Sequence, residues 1–484
     1  MTYPGEQYYP SGVKWSDEIT RGTLPDLLSN AAAEFGVRPV LEFRDRQISY
    51  SELESLVETA AAAFLRAGYG KGTSVALFLG NSPDHPINFF GALKAGARIV
   101  HLSPLDGEIA LSHKLSDSGA RVLVTSNLSA LLPTALKFLD KGLLDRLIVC
   151  EDDNWGKVGT QQTALPDNPK IITHRQFIEG VTKPSQWPAV DVEDVALLQY
   201  TGGTTGKPKG VMLSGRNIEA MTALTLMGYP FKGRPVYLAL APLTHAAGVL
   251  CFPIMTLGGR VVIMHHPDIG EFLALIARYR VTHTFLPPTV IYMLLDHPEL
   301  DAADRSSLQC FWYGAAPISA TRLAEALQRI GPMAQLFGQT EAPMMISMMP
   351  PADHYHADGT IAMERLSSAG RIGPLVQAGI MDGDGKLLPA GSRGEIVVRG
   401  SLVMDGYYKN PEATREASVH GWHHTGDIGY IDGDGYLYIV DRAKDMIITG
   451  GFNVYSIEVE NALRAHEAVQ DCAVIGMPDD KWGE

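Results

Sequence analysis

Cysteine is scarce and scattered: the 484-residue chain holds four, Cys150, Cys251, Cys310 and Cys472, with none of the paired spacings that bind metals or run thiol–disulfide exchange. We read them as buried thiols in a reducing cytoplasm. Basic residues are also in short supply, 40 Lys and Arg against 54 Asp and Glu, for a formal net charge of −14. That balance argues against a nucleic-acid partner, because binding a phosphate backbone needs a basic footprint, yet a small anion could still sit in a local pocket. Long apolar runs are missing too. The best candidate, 246–264, is broken by Pro253, Gly258, Gly259 and Arg260, and the opening MTYPGEQYYPSGVKW lacks the apolar core of a signal peptide. No targeting or membrane-spanning segment is visible, and no internal repeat of the kind that builds a solenoid.

What the chain does have is enough apolar material to fold: 45% hydrophobic residues with 19% charged. Its length exceeds what one core serves, so we expect a large domain with internal lobes and a smaller piece. From residue 23 to 150, helix-like stretches at 51–67 and 83–95 alternate with β-rich runs at 74–79 and 121–124, the grammar of parallel βα units. A polar passage, 151–191, ends in a linker, KPSQWPAVD at 183–191. The alternation then resumes, with strands expected at 195–200, 236–241, 281–286 and 310–313 and helices at 269–279 and 319–330. After about residue 371, short strands and tight turns (394–399, 435–440) imply a β-rich lobe, a small barrel or sheet. The expected fold class is α/β: an α/β lobe at 1–190, a second with the phosphate loop at 191–370, a β-rich lobe at 371–441, and the start of a small, incomplete α+β domain at 442–484.

The repeated MDGDGK at 381–386 and IDGDGY at 431–436 invite a calcium reading. An EF-hand loop from Asp382 or Asp432 would need Glu at its twelfth position, where Arg393 and Ala443 stand. Both segments are expected to be tight turns, since Asp-Gly supplies positive φ.

The richest stretch is YTGGTTGKPKGVMLS at 200–214. Its glycines let main-chain N–H groups crowd around an anion, while hydroxyls and lysines add donors and charge, so a phosphate cradle follows. It is not the common P-loop: the first glycine of that pattern would fall on Thr201, and Pro208 stands where Ser or Thr should follow Lys207.

With this loop, APLTHAAG at 241–248, YGAAPIS at 313–319, LFGQTEA at 336–342, the run from His424 to Ile447 and GGFNVYSIEVE at 450–460, the chain resembles the adenylate-forming superfamily of acyl-CoA synthetases, nonribosomal adenylation domains and luciferases. The likeness begins at TLPDLL and FRDRQISYSEL and spans essentially the whole chain. It implies an ATP-dependent acyl-CoA ligase that makes an acyl adenylate and passes the acyl group to CoA. A carboxylate attacking a phosphate needs donors and a metal facing the phosphorus. By resemblance, Thr340 meets the α-phosphate and Glu341 holds Mg²⁺ together with Thr204. The loop Thr201, Gly202, Gly203, Thr204, Thr205, Gly206 and Lys207 covers the outer phosphates. Asp427 takes the ribose hydroxyls beside Arg442. Adenine lies against Gly314, Ala315, Ala316 and Pro317, near Phe337, Gly338 and Gln339; Tyr313 reads equally as adenine wall or core. His245 is implied as an aromatic gate to an acyl pocket with Ala246, Gly248 and Met344, whereas the pairs His265-His266 and His423-His424 read as surface or loop residues.

The resemblance also implies a hinge at Lys444 and a CoA tunnel at Gly450 and Gly451. Two departures stand out: Ser456 replaces the usual proline, and the family's adenylation lysine is not reached by residue 484, so we expect the natural chain to continue. Without that lysine the chain could be a non-catalytic nucleotide- or acyl-binding remnant. Within the superfamily, delivery to a carrier-protein thiol or luciferase-like oxygenation are the rival readings. The small residues after His245 and the methionines Met344, Met345 and Met348 imply a roomy apolar pocket. A medium- or long-chain fatty acid is favoured, with an aromatic or alicyclic carboxylate second and acetate a poorer fit. The partners implied are the acid, ATP and CoA, and a homodimer is compatible with them.

Overall fold

The computed structural model describes residues 22–156, 161–201, 207–442, 447–449, 452–464, 469 and 472–479. Gly202, Gly203, Thr204, Thr205 and Gly206 of the phosphate loop, Lys444, Gly450 and Gly451 lie outside the described residues.

Local chemistry starts and stops the helices. Leu24–Phe35 opens on a reciprocal capping box, Thr23 with Asp26, and carries Pro25 in its first turn. Tyr50–Arg66, within a residue of its expected bounds, begins where the Ser49 hydroxyl accepts from the Glu52 N–H. Its alanine-rich face receives Asp84–Lys94 so closely that a Cβ on Gly91 would stand 2.8 Å from the Cβ of Ala60.

Two large sheets carry these helices. The eight-stranded one runs Gly406–Tyr407, Lys209–Ser214, Val195–Thr201, Arg98–His101, Ser74–Phe78, Val122–Ser126, Arg146–Cys150, Ile171–Thr173. Its pairings are parallel from Val195–Thr201 onward and antiparallel before it. The nine-stranded sheet runs Arg371–Ile372, Ala342–Met349, Met333–Gln339, Cys310–Tyr313, His283–Leu286, Val236–Ala239, Arg260–Ile263, Pro39–Phe43, Arg46–Ser49. Gln377–Met381, Gly394–Arg399, His423–Ile431 and Leu437–Arg442 form a four-stranded antiparallel sheet, so the β-rich lobe is a sheet rather than a barrel.

The large sheets exchange strands along the sequence. Pro39–Phe43 and Arg46–Ser49 sit in the nine-stranded sheet although they precede the parallel strands of the other, and Val195–Thr201 and Lys209–Ser214 join the eight-stranded sheet from beyond residue 190. We therefore propose 1–190 and 191–370 as interlocked lobes rather than separate sheets, with 371–441 lending Gly406–Tyr407 to the eight-stranded sheet and 442–484 as the start of a separate C-terminal domain.

Both Asp-Gly segments are turns. The carboxylate Oδ1 of Asp382 accepts from the N–H groups of Asp384 and Lys386, that of Asp432 from Asp434 and Tyr436, and Gly385 and Gly435 take φ of 82° and 84°. Cys150 and Cys310 are buried, but Cys251 and Cys472 are half-buried. Among the described residues no helix is long and apolar enough to cross a membrane.

Past Arg442, a short hairpin (Ile447–Thr449, Phe452–Val454) leads into the helix Ser456–Arg464. Farther on, the described residues 472–475 lie in no strand, and Ile475 is 76% exposed. Ser456 gives the departure from proline a physical meaning. Its N–H and hydroxyl both donate to the Asp441 carboxylate, at 2.5 and 3.1 Å, and both residues are buried. Proline has no N–H to offer.

Candidate active site

The site grows from the carboxyl ends of two neighbouring parallel strands, where open α/β sheets bind ligands. Cys310–Tyr313 runs parallel to Met333–Gln339. The first continues into Gly314–Pro317; the second turns back through Thr340 and Glu341 into Ala342–Met349, with Gln339 facing Ala342 across the turn. Close approach explains the small residues. A Cβ on Gly314 would lie 2.4 Å from the Leu336 carbonyl oxygen, and one on Gly338 would lie 2.3 Å from the Met344 nitrogen. Met344 and Ala315 hold φ of 60° and 67°, strained for residues with a Cβ.

Facing these loops is the edge of the four-stranded sheet. The register pairs Asp427 with Arg442, directly opposite on adjacent strands and so on one face, and Arg442 Nε lies 3.4 Å from Asp427 Oδ1. Asp427 is held by its neighbours: Thr425 donates its hydroxyl to the Ile396 carbonyl and accepts from the Asp427 N–H, while Gly426 turns the chain at φ 74°. Gln339 bridges the walls, donating Nε2 to the Thr425 carbonyl at 3.1 Å. The cleft between them measures ≈ 440 Å³ and is lined by Gly314, Ala315, Ala316, Pro317, Phe337, Gly338, Gln339, Asp427 and Arg442, within the range of small-molecule sites.

Glu341 stands beside this cavity, buried at the hairpin turn. Its carbonyl accepts from the Met404 N–H at 2.7 Å, and its Oε1 accepts from the Tyr407 hydroxyl at 2.8 Å. Burial first, and then the Glu341 charge, raise the Tyr407 pKa above its ordinary value, so the phenol stays a donor. Lys209 lies over the Tyr407 ring at 4.8 Å, linking the strand after the phosphate loop to the same carboxylate. Thr201 ends Val195–Thr201 opposite Lys209, and Lys207 is exposed just before it. No cluster of three or more His, Cys, Asp or Glu able to hold a metal occurs among the described residues. One anchored carboxylate linked through Tyr407 to the strand that follows the phosphate loop fits Mg²⁺, which takes one or two carboxylates and completes its shell with phosphate and water.

This geometry has known counterparts. Residues 28–408 match the family described as AMP-binding enzyme. The chain belongs to that family. Residues 458–484 match the AMP-binding enzyme C-terminal domain. The chain is 36% identical over 464 residues to the medium/long-chain-fatty-acid–CoA ligase FadD8 of Mycobacterium tuberculosis, covering 95% of this chain and 78% of that one. It is 36% identical over 439 residues to a feruloyl-CoA synthase of Amycolatopsis sp, covering 90% and 82%. Among solved structures it superposes on the o-succinylbenzoate-CoA synthetase of Bacillus subtilis with its acyl-adenylate intermediate, with a TM-score of 0.82, 26% identity and 96% and 87% coverage. The same synthetase with ATP and a magnesium ion gives 0.80 at 25% identity, covering 94% and 87%.

In this AMP-binding enzyme, His245 lies outside the main cavity at the start of the short helix Ala246–Val249. Desolvation, more than Lys114, holds the His245 pKa below its ordinary value, with Asp106 opposing. Half-buried Ala246 follows it, and Gly248 is where a Cβ would meet the Leu243 carbonyl oxygen at 1.9 Å. Met344 lines neither this cavity nor the apolar one near His245; it braces Gly338. Tyr313 resolves as core: fully buried, its hydroxyl is 2.9 Å from His354 Nε2. His423 is a buried strand residue, not a surface one, with Nε2 3.3 Å from Gln339 Oε1. Sequence reasoning missed Ser367, Ser368, Ala369 and Ile439 in the main cavity's wall. The small-residue run before Gly370, which turns at φ 85°, was the available signal.

Proposed function

We propose that this enzyme is an acyl-CoA ligase that uses ATP to activate a carboxylic acid and transfers the acyl group to CoA. The observation that carries the reading is the cavity joining 314–317, Phe337 and the Asp427–Arg442 pair beside the Glu341 turn. The names of its relatives support a medium- or long-chain fatty acid as substrate, with an aromatic acid as the second reading.

In the first half-reaction an oxygen of the acid's carboxylate attacks the α-phosphorus and pyrophosphate leaves; in the second the CoA sulfur attacks the acyl carbon and AMP leaves. Asp427 accepts from the ribose hydroxyls and Arg442 stays near the same sugar. The 314–317 loop and Phe337 shape a flat slot for the base. Thr340 donates to the α-phosphate, and Lys207 with the loop 201–206 covers the outer phosphates. Glu341 and Thr204 would hold Mg²⁺, which neutralises phosphate charge when bound. His245 separates the acyl group from this polar centre, Lys444 is the proposed hinge, and Gly450 and Gly451 the proposed tunnel lining. A cytoplasmic setting, with ATP and reduced CoA at hand, belongs to the proposal.

The test is ATP–pyrophosphate exchange across a panel of carboxylic acids, followed by thioester formation with CoA. Asp427→Ala should raise the KM for ATP about tenfold or more while moving the KM for the acid little, since a charge-assisted hydrogen bond to the nucleotide is lost. A larger effect on the acid would place the residue elsewhere.

A further inference from the structure

The strand His423–Ile431 bulges where it passes Gly394–Arg399. The register pairs Val397 with His424 and Glu395 with Ile428, so Ile396 alone faces Thr425, Gly426 and Asp427. A bulge takes main-chain groups out of the ladder and re-aims a side chain, here that of Asp427, which lines the main cavity. Main-chain groups displaced in this way need other partners.

Side chains supply them. The Gly426 N–H donates to Glu395 Oε1 at 3.0 Å, and the Asp427 N–H donates at 3.1 Å to the Thr425 hydroxyl, which in turn donates to the Ile396 carbonyl at 2.7 Å. These three bonds stay within the four-stranded sheet. The Thr425 carbonyl is met from the opposite wall, by Gln339 Nε2 at 3.1 Å. A carbonyl can only accept, so the amide turns its nitrogen this way. Its oxygen is left 3.3 Å from Nε2 of His423, buried on the strand that carries Asp427.

Gln339 therefore reaches two functional groups by different routes. Its main chain ends the strand Met333–Gln339 and runs straight into Thr340 and Glu341, while its side chain holds a carbonyl two residues from Asp427. The separation between the groups assigned above to the α-phosphate and to the ribose passes through this one amide. Contacts to a ligand gripped at two points lose strength when the points shift relative to each other, even by an ångström.

We propose that Gln339 is a positioning residue for the nucleotide, which sets Asp427 against the phosphate centre by pinning the bulge at the Thr425 carbonyl. The inference rests on the assignment of Asp427 to the ribose within the acyl-CoA ligase reading.

Titration calorimetry with ATP and with 2′,3′-dideoxy-ATP tests it, since the second nucleotide keeps base and phosphates but offers no ribose hydroxyl. The wild type should bind ATP about tenfold or more tightly than the dideoxy form. Gln339→Met, similar in length and unable to donate, should weaken ATP about three- to tenfold and leave dideoxy-ATP unchanged, which a general loosening of the fold would not do. Full wild-type discrimination in Gln339→Met overturns the proposal and leaves the ligase reading standing. An equal loss for both nucleotides also overturns it, because the amide would then act on the base or the phosphates directly. A wild type that binds both alike, or neither, overturns the ribose assignment and the proposal with it. If Gln339→Met does not fold, a wild-type crystal grown with ATP decides. The amide on the Thr425 carbonyl with Asp427 on the ribose hydroxyls supports the proposal, and an amide turned onto the nucleotide defeats it.

Discussion

Glu341→Gln should leave the hairpin standing and lower adenylation by about two orders of magnitude, the usual scale for losing one electrostatic contributor to a phosphate reaction. The amide keeps an oxygen able to accept from Tyr407, and the main-chain bond from Met404 is untouched, so the loss isolates the charge. Pyrophosphate exchange measured across a Mg²⁺ titration should show the deficit deepening as the ion becomes limiting, with an unaltered melting temperature. Unchanged exchange at limiting Mg²⁺ would remove Glu341 from the metal site.

Gly338→Ala should damage both stability and nucleotide binding. The added Cβ meets the Met344 nitrogen at 2.3 Å and the Ala342 carbonyl oxygen at 2.6 Å, both main-chain atoms that cannot rotate away. Forcing the hairpin apart should cost about 2–3 kcal/mol. Because Gly338 also lines the main cavity, ATP affinity should fall with it. Gly383→Ala is the control: a Cβ there meets nothing within 4 Å, so urea midpoint and ATP binding should stay put. Equal midpoints for the two variants would mean that the hairpin yields more easily than its geometry implies.

Much of the fold was legible because periodicity is a local signal. The helix Ile269–Tyr279 and the strands Cys310–Tyr313 and Gly394–Arg399 fall on their expected bounds, each a run whose apolar pattern fits one period. The exchange of strands between sheets was not legible, since nothing within Pro39–Phe43 records that its parallel partner is Arg260–Ile263. The same limit applied to the site. The segments at 314–317, 337–339, Asp427 and Arg442 announced themselves as motifs, and the structure brings them to one cavity. Tyr313 was ambiguous for that reason: its burial, and the His354 contact that makes it core, come from residues distant in sequence and adjacent in space. His423 misled for the converse reason, a polar residue whose burial is imposed by the sheet around it.

The tie between Asp441 and Ser456 also has a kinetic side. The two residues are 15 positions apart in one chain, with the proposed hinge at Lys444 between them. Opening such a clasp requires two bonds to a buried carboxylate to part together, whereas reclosing is unimolecular, at an effective concentration on the order of millimolar for so short a tether. The C-terminal segment should thus behave like a door on a spring latch, with brief excursions and a long dwell in this pose. Dilution would leave that rhythm unchanged, since no second molecule takes part.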